Sequence, residues 1–372
     1  MSVCCHTIIS LLERYAPKYI AEPGDPIGLQ VGDPGQEIQK VYVTLDLNEA
    51  VLDEAEEWGA DLLLVHHTPF YKPLPKIRTD LQKGRLIARI IRNNMALYAA
   101  HTNLDSADQG VNAVLAGMLG LSGVTPLADS WQQQLYKLVV FVPESHSEQV
   151  RQAITASGAG WIGNYSDCTF RVKGTGTFRP LEGTNPYIGQ QGQVEAVPEE
   201  RIETILPAEN CEQVIKAMLK AHPYEEVAYD LYPLLNKGKI NGLGRVGYLP
   251  QAITLAEFLG LVKTKLNLQV VKYCGDPASI IKKVALCGGA GASLLNEAVY
   301  AGADVYLTGD LKYHEAQEAL LQNMAVVDAG HFATEYPVVA RLADYLRHAL
   351  QDQDVEIKAS EINTDPFRYY WG

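Results

Sequence analysis

Gly59-Ala-Asp-Leu-Leu-Leu-Val-His-His67 reads as the end of a helix, a short buried strand of unbroken apolar residues, and two histidines where the strand stops. The pattern returns far along the chain as Gly302-Ala-Asp-Val-Tyr-Leu-Thr-Gly-Asp310, which again ends in polar groups. A second pair of segments, Asn94-Met-Ala-Leu-Tyr-Ala-Ala-His101 and Asn323-Met-Ala-Val-Val-Asp-Ala-Gly-His331, repeats the echo. Each of its histidines is followed four residues later by a carboxylate, Asp105 and Glu335. Short apolar strands alternating with helical stretches, as over 81–92 and 294–301, predict α/β layers on largely parallel sheets. The expected fold is α/β, with two similar halves forming one core.

Between the echoes the chain changes character. The order reads strand 134–142, helix 147–157, two strands within 160–207, helix 211–221 and strand 226–234, the βαββαβ order of a ferredoxin-like α+β unit. Asn210 is placed to cap the second helix, with Gln213 three residues on completing a capping-box-like arrangement. Because the flanking segments echo one another, 132–237 reads as a domain inserted at an exposed loop between a first core half, 1–131, and a second, 238–372.

Composition narrows the function classes. The 372 residues leave room for two or three domains, and 47% hydrophobic against 20% charged residues describes an ordinary globular chain. A formal net charge of −13 argues against a general nucleic-acid binder, which needs a basic excess to neutralise phosphates. The opening MSVCCHTIISLLERYAP has its apolar stretch interrupted by His6, Glu13 and Arg14, unlike a signal peptide. No apolar run approaches the roughly 18 residues of a membrane span. Six scattered cysteines show neither a disulfide framework nor zinc-finger spacing, so a reducing cytoplasm is expected, with Cys4 and Cys5 as inert helix residues.

The polar residues at the strand ends carry the chemistry. Carboxyl ends of strands are where open α/β sheets place ligand crevices. His66 and His67 reach one centre only if the chain turns there, as Thr68-Pro69 suggests; the alternative is a capping or core pair. Asp105 offers a hard oxygen ligand, or else it or Ser106 caps a helix beginning near Gln109. His331 and Glu335, spaced i and i+4, share one helix face. If corresponding strand ends pack side by side, three imidazoles and two carboxylates meet. Five ligands exceed the four of a structural zinc site and suit two ions about 3.5–4 Å apart under a bridging carboxylate. Gly288-Gly-Ala-Gly-Ala-Ser293 either holds an anion on its amides or is a tight strand-to-helix connection. His222-Pro-Tyr-Glu-Glu226 reads as a regulatory pocket or as a helix stop before an edge strand.

GLQVG (28–32), LVHHTPF (64–70), HTNLD (101–105), TGDLKYHEA (308–316) and DAGHFATE (328–335) resemble the Nif-three-like dinuclear-metal-centre family, also called GTP cyclohydrolase I type 2 homologues. GTNPYIG (183–189) and HPYEEVAYD (222–230) resemble the nitrogen-regulator or CutA-like inserted domain of its longer bacterial members. The resemblance implies two divalent ions per chain, zinc, iron or manganese, held by His66, His67, Asp105, His331 and Glu335, with Glu335 as the bridge. It makes His101 and His314 candidates for the second shell of the metals and implies a homohexameric ring. The implied activity is that of a metal-dependent hydrolase, cyclohydrolase-like or a phosphoester hydrolase, acting on a nucleotide or similar small molecule. No base-reading motif accompanies it. The alternative is a non-catalytic metal-binding regulatory or chaperone hexamer with an effector-binding insert.

Overall fold

The computed structural model describes residues 2–370. The chain forms two compact units, Met1–Trp131 together with Asn241–Gly372, and Gln132–Ile240.

The first unit contains two sheets built around matching parallel triads. In one, Lys40–Thr44, Leu62–Val65 and Ala96–Ala99 run parallel, with Leu62 opposite Ala96 and Val65 opposite Ala99. In the other, Ile280–Leu286, Val305–Thr308 and Ala325–Asp328 do the same, with Thr308 opposite Asp328. Every residue of the two inner strands of each triad's site-bearing pair is buried, which is why those strands are written as unbroken apolar runs rather than alternating ones. The repeated Gly-Ala-Asp has a mechanical role in both halves. Gly59 and Gly302 take φ of +77° and +66°, which ends the preceding helix, and each Asp receives two amides of the neighbouring strand. Asp61 accepts from Gln39 and Lys40, and Asp304 from Lys282 and Lys283.

The sheets do not divide where the sequence halves divide. Glu356–Ala359, near the end of the chain, lies parallel to Lys40–Thr44 in the first sheet, while Ser122–Gln132 lies beside Ile240–Thr254 in the second. Helix Pro337–Ala349 likewise places Val338, Leu342 and Leu346 in one apolar cluster with Ile8 and Leu12 of helix Cys5–Tyr15. The halves therefore exchange edge elements, and the two strands through which the chain leaves and re-enters this unit are sheet neighbours.

The second unit is a four-stranded antiparallel sheet in the order Tyr229–Pro233, Leu135–Pro143, Glu195–Pro207, Thr169–Phe178. Helices Ser147–Ala156 and Cys211–Ala221 cover it, packing Val150, Ile154, Val214 and Met218 against Leu138, Val140, Val142, Ile202 and Leu206. Strand Tyr229–Pro233 is an edge strand and starts later than the sequence predicts.

Several local expectations are corrected. Asn210 does not cap its helix: it ends a 3-10 turn at φ −97°, ψ −3°, so its side chain cannot fold back onto the first turn, and its amide reaches Gly158 O at 3.4 Å instead. Neither Asp105 nor Ser106 caps the next helix, because both lie inside a short helix, Thr102–Ser106, and Val111–Met118 begins from Gly110 without a side-chain cap. Cys4 is exposed on a two-residue strand, Val3–Cys4; only Cys5 is a buried helix residue. Among the described residues no helix is long and apolar enough to cross a membrane.

Candidate metal centre

The parallel registers bring polar residues together at the carboxyl ends of the strands. After Val65 the ladder stops and the chain turns, so the amides of His66 and His67 both reach Leu45 O, at 3.1 and 2.9 Å. That turn lets two adjacent side chains serve one centre, which a continuing strand forbids. His101 follows the neighbouring strand, Asp105 lies one turn into the helix behind it, and helix His331–Glu335 carries His331 and Glu335 on one face.

Each of four imidazoles is held by its outer nitrogen. His66 Nδ1 meets Ala100 O at 2.8 Å, His67 Nδ1 meets Asp46 Oδ1 at 2.7 Å, His101 Nδ1 lies 3.0 Å from both Asp25 oxygens, and His331 Nδ1 meets Asp310 Oδ2 at 2.8 Å. An Nδ1 that donates to oxygen leaves Nε2 as the lone-pair nitrogen of the neutral ring, the orientation that metal-binding histidines adopt.

The free nitrogens of His66, His67 and His331 converge on Glu335, which is 5% exposed. Oε2 of Glu335 lies 3.0 Å from His67 Nε2 and 3.1 Å from His331 Nε2, and Oε1 lies 3.9 Å from His66 Nε2. Asp105 Oδ1 stands 3.6 Å from His66 Nε2. Among the described residues, His66 Nε2 and Asp105 Oδ1 are buried without a hydrogen-bond partner, an arrangement that costs several kcal/mol if nothing electrophilic satisfies it. His67 Nε2 and His331 Nε2 face each other at 3.3 Å although both outer nitrogens are already engaged. A proton or a cation must stand between them. Three sets of ligand atoms are close enough to hold a metal ion, namely His67, His331 and Glu335; His66, Asp105 and Glu335; and His66, His67 and His101. The residues present fit a metal.

Protonation follows the same logic. Burial pushes the His67 imidazole down, but the Asp46 and Glu335 carboxylates outweigh it and lift the ring to about 10. Glu335 likewise lifts His331, to about 9. Burial raises the Asp105 carboxyl to about 6. Burial also works against Glu335, yet the surrounding imidazoles of His331, His66 and His67 hold it well below the usual carboxylate range. Without a cation, protons occupy the positions that the geometry offers to metal.

A cleft of about 690 Å³ opens onto His67 and His331, with Asp46, Asp310 and Asp328 in its wall. The glycine-rich turn at 288–293 has the form of a tight strand-to-helix connection. Its three glycine amides at 288, 289 and 291 are taken by protein side chains, Gly288 by Asn112, Gly289 by Thr334 and Gly291 by Thr308, at 2.8–2.9 Å. Its smallness serves the centre: at Gly289, φ +64°, a Cβ would sit 2.1 Å from Glu335 Oε1.

All five residues singled out as ligands, His66, His67, Asp105, His331 and Glu335, lie in this cluster, and His101 joins it. His314 does not: it is exposed on helix Tyr313–Leu321 and meets Gln317 at 3.0 Å. The sequence reading missed the carboxylates that hold the imidazoles, Asp25, Asp46 and Asp310. Asp46 and Asp310 each stand two residues past the end of a buried strand, the same signal that singled out His67.

The family described as Duf34/NIF3 (NGG1p interacting factor 3) matches residues 3–366. Relatives named GTP cyclohydrolase 1 type 2 homolog include one from Halalkalibacterium halodurans, 47% identical over 365 residues and covering 98% of each chain. Another, from Bacillus subtilis, is 46% identical over 370 residues and covers 99% of each. Among solved structures, a Bacillus cereus protein related to NIF3 superposes with a TM-score of 0.90 at 44% identity over 99% of both chains. These matches run the length of the chain, so 132–240 is shared with these relatives.

Proposed function

The chain belongs to the Duf34/NIF3 family, and on that footing we propose that it is a dinuclear metal-dependent hydrolase acting on a nucleotide or similar small molecule. The observation that carries this reading is the confrontation of His67 Nε2 and His331 Nε2 at 3.3 Å over buried Glu335 Oε2, which lies 3.0 and 3.1 Å from them. One ion would be held by His67, His331 and Glu335, the other by His66, Asp105 and Glu335, with Glu335 common to both. Mixed imidazole and carboxylate donors suit zinc, iron and manganese.

A bound pair of divalent ions supplies Lewis acidity to an attacking and a leaving oxygen. The chain's own residues do the rest. Asp46, Asp310 and the Ala100 carbonyl fix the tautomer and aim of three rings, and Glu335 offsets the mutual repulsion of the cations. His101, backed by Asp25, is placed to accept a proton and return it. The cleft beside His67 and His331 gives a small molecule access.

Two finer assignments belong to the same proposal. The strands of 132–240, numbered by sequence, stand in the sheet order 4-1-3-2, which supports a ferredoxin-like insert. The homohexamer rests on the family resemblance, and sedimentation of the full chain tests it.

Elemental analysis after reloading with zinc, manganese or iron should find two ions per chain; one or none rejects the pair. Glu335→Gln keeps shape but removes the shared charge, so it should lose paired occupancy. Hydrolysis of a nucleotide or phosphodiester that disappears in Glu335→Gln supports the enzyme. A fully loaded chain inert to every such compound would instead favour a regulatory or chaperone role.

A further inference from the structure

The cleft beside the metal centre has two unlike walls. One is rich in carboxylates; the other is the stretch Thr364–Tyr370. That stretch follows a residue paired to the core, turns on its own side chains and is tied to the site at Thr364. Ser360 N donates to Val43 O at 2.7 Å, Asp365 N to Asn363 Oδ1 at 2.9 Å, and Phe367 N to Asp365 Oδ1 at 2.9 Å. The Thr364 hydroxyl donates to Asp46 Oδ2, and the other oxygen of Asp46 holds His67. A single carboxylate therefore ties the wall to a metal-facing imidazole.

Phe367, Tyr369 and Tyr370 stand 69%, 55% and 93% exposed, and all three line the cavity. Scattered exposed apolar side chains mean little, but three aromatic rings lining one cleft mark a binding surface. Arg368, between them, donates to the carbonyls of Asp365 and Phe367, and among the described residues no carboxylate is paired with it. Lys272, 72% exposed at its side chain, also lines the cleft while touching Asp328 at 2.6 Å.

We propose that Thr364–Tyr370 is the specificity-determining wall of this site and that its ligand class is a mononucleotide. The base lies on the rings of Phe367 and Tyr370, and the phosphate pairs with Arg368 and Lys272. This rests on the metal-site reading above. Aromatic faces stack any base, and the guanidinium fork matches phosphate oxygens in pairs. A sugar phosphate satisfies the cations but leaves the rings in water, whereas a nucleoside does the reverse. Only a ligand with both parts uses the whole wall.

Calorimetric titration of the metal-loaded full chain with AMP, ribose phosphate and adenosine tests this. AMP should bind roughly 5–150-fold more tightly than ribose phosphate, the range for one base stacked on aromatic side chains. Phe367→Ala should remove much of that margin and leave ribose phosphate binding unchanged. Arg368→Gln should weaken AMP and ribose phosphate alike and spare adenosine. All these side chains are exposed, so the variants should fold. Equal binding of AMP and ribose phosphate by the unaltered chain overturns the proposal, as does a margin that survives both Phe367→Ala and Tyr370→Ala. So does a changed assembly state in Phe367→Ala with AMP affinity intact, which would assign the rings to a subunit contact. Ion content is measured on the same samples. Two ions without an AMP margin sinks the wall and spares the metal centre; a Phe367-dependent margin in a chain that holds no ions does the opposite.

Discussion

Gly289→Ala should abolish paired metal binding while leaving the fold intact. A Cβ at this position would lie 2.1 Å from Glu335 Oε1, 3.1 Å from Glu335 Cδ and 3.2 Å from His331 Nε2. To reach ordinary van der Waals separation the carboxylate must retreat by about 1.3 Å or more. Glu335 cannot swing into solvent to do so, because it is buried in a five-residue helix whose other end is His331. Metal–ligand bonds tolerate only about 0.2 Å, so the displaced oxygen no longer ligates and two ions fall to one or none. The substitution also forces an alanine to adopt φ +64°, a left-handed strain of about 1–2 kcal/mol. Gly302→Ala isolates that strain: its φ is +66°, and nothing lies within 4 Å of the added carbon. Both variants should melt a few degrees below the parent, and elemental analysis with calorimetric titration should show the metal deficit in Gly289→Ala alone. Two ions bound by Gly289→Ala at parental affinity, or an equal deficit in Gly302→Ala, would refute the placement of Glu335 as the shared ligand.

Asp46→Asn keeps the His67 hydrogen bond but weakens its charge, so metal affinity should fall by roughly 10–100-fold with the saturating stoichiometry unchanged; lost stoichiometry in a titration would make Asp46 a ligand. In the metal-free chain, His67 at about 10 and His331 at about 9 hold protons that an unfolded chain, titrating near 6.5, releases earlier. Their contribution to stability is full below pH 6.5 and lost as pH rises through 9 to 10. Thermal melts from pH 6 to 10 with and without chelator should show that slope only in the metal-free protein, and equal slopes would contradict it. Replacing 132–240 by a short linker should leave a folded metal-binding unit, since all five proposed ligands lie outside it and the strands flanking it are sheet neighbours. Loss of metal from a soluble deletion variant would show the insert to be integral.

The fold was legible where burial on two faces writes its own code. Leu62–Val65 and Val305–Thr308 are apolar at every step or nearly so, and the Gly-Ala-Asp before each is spelled identically because each performs the same capping task. Edge strands carry no such code. Glu356-Ile-Lys-Ala359 alternates like any surface strand, and nothing within it states that its partner lies some three hundred residues earlier at Lys40–Thr44. Periodicity reports which faces are buried; it does not report against what, so the exchange of edges between the halves is a long-range fact with no local signature.

The site shows the same division between local and distant causes. Its proposed ligands sit at repeated positions, so the echo itself singles them out, yet the repeat is not symmetric in chemistry. His67 in the first half corresponds to Asp310 in the second, and Asp310 points to His331 rather than inward. Asp25 and Asp46 lie on segments with no echo at all, and their role depends on which ring each one meets across the sheet. This asymmetry has a physical consequence. His67 and His331 are each backed by a carboxylate and border the cleft, whereas His66 is backed by a neutral carbonyl and lies with Asp105 in the interior. On the proposed reading, a repeated strand end thus offers two unequal places for a cation, one beside the cleft and one facing the core, with the single carboxylate of Glu335 between them.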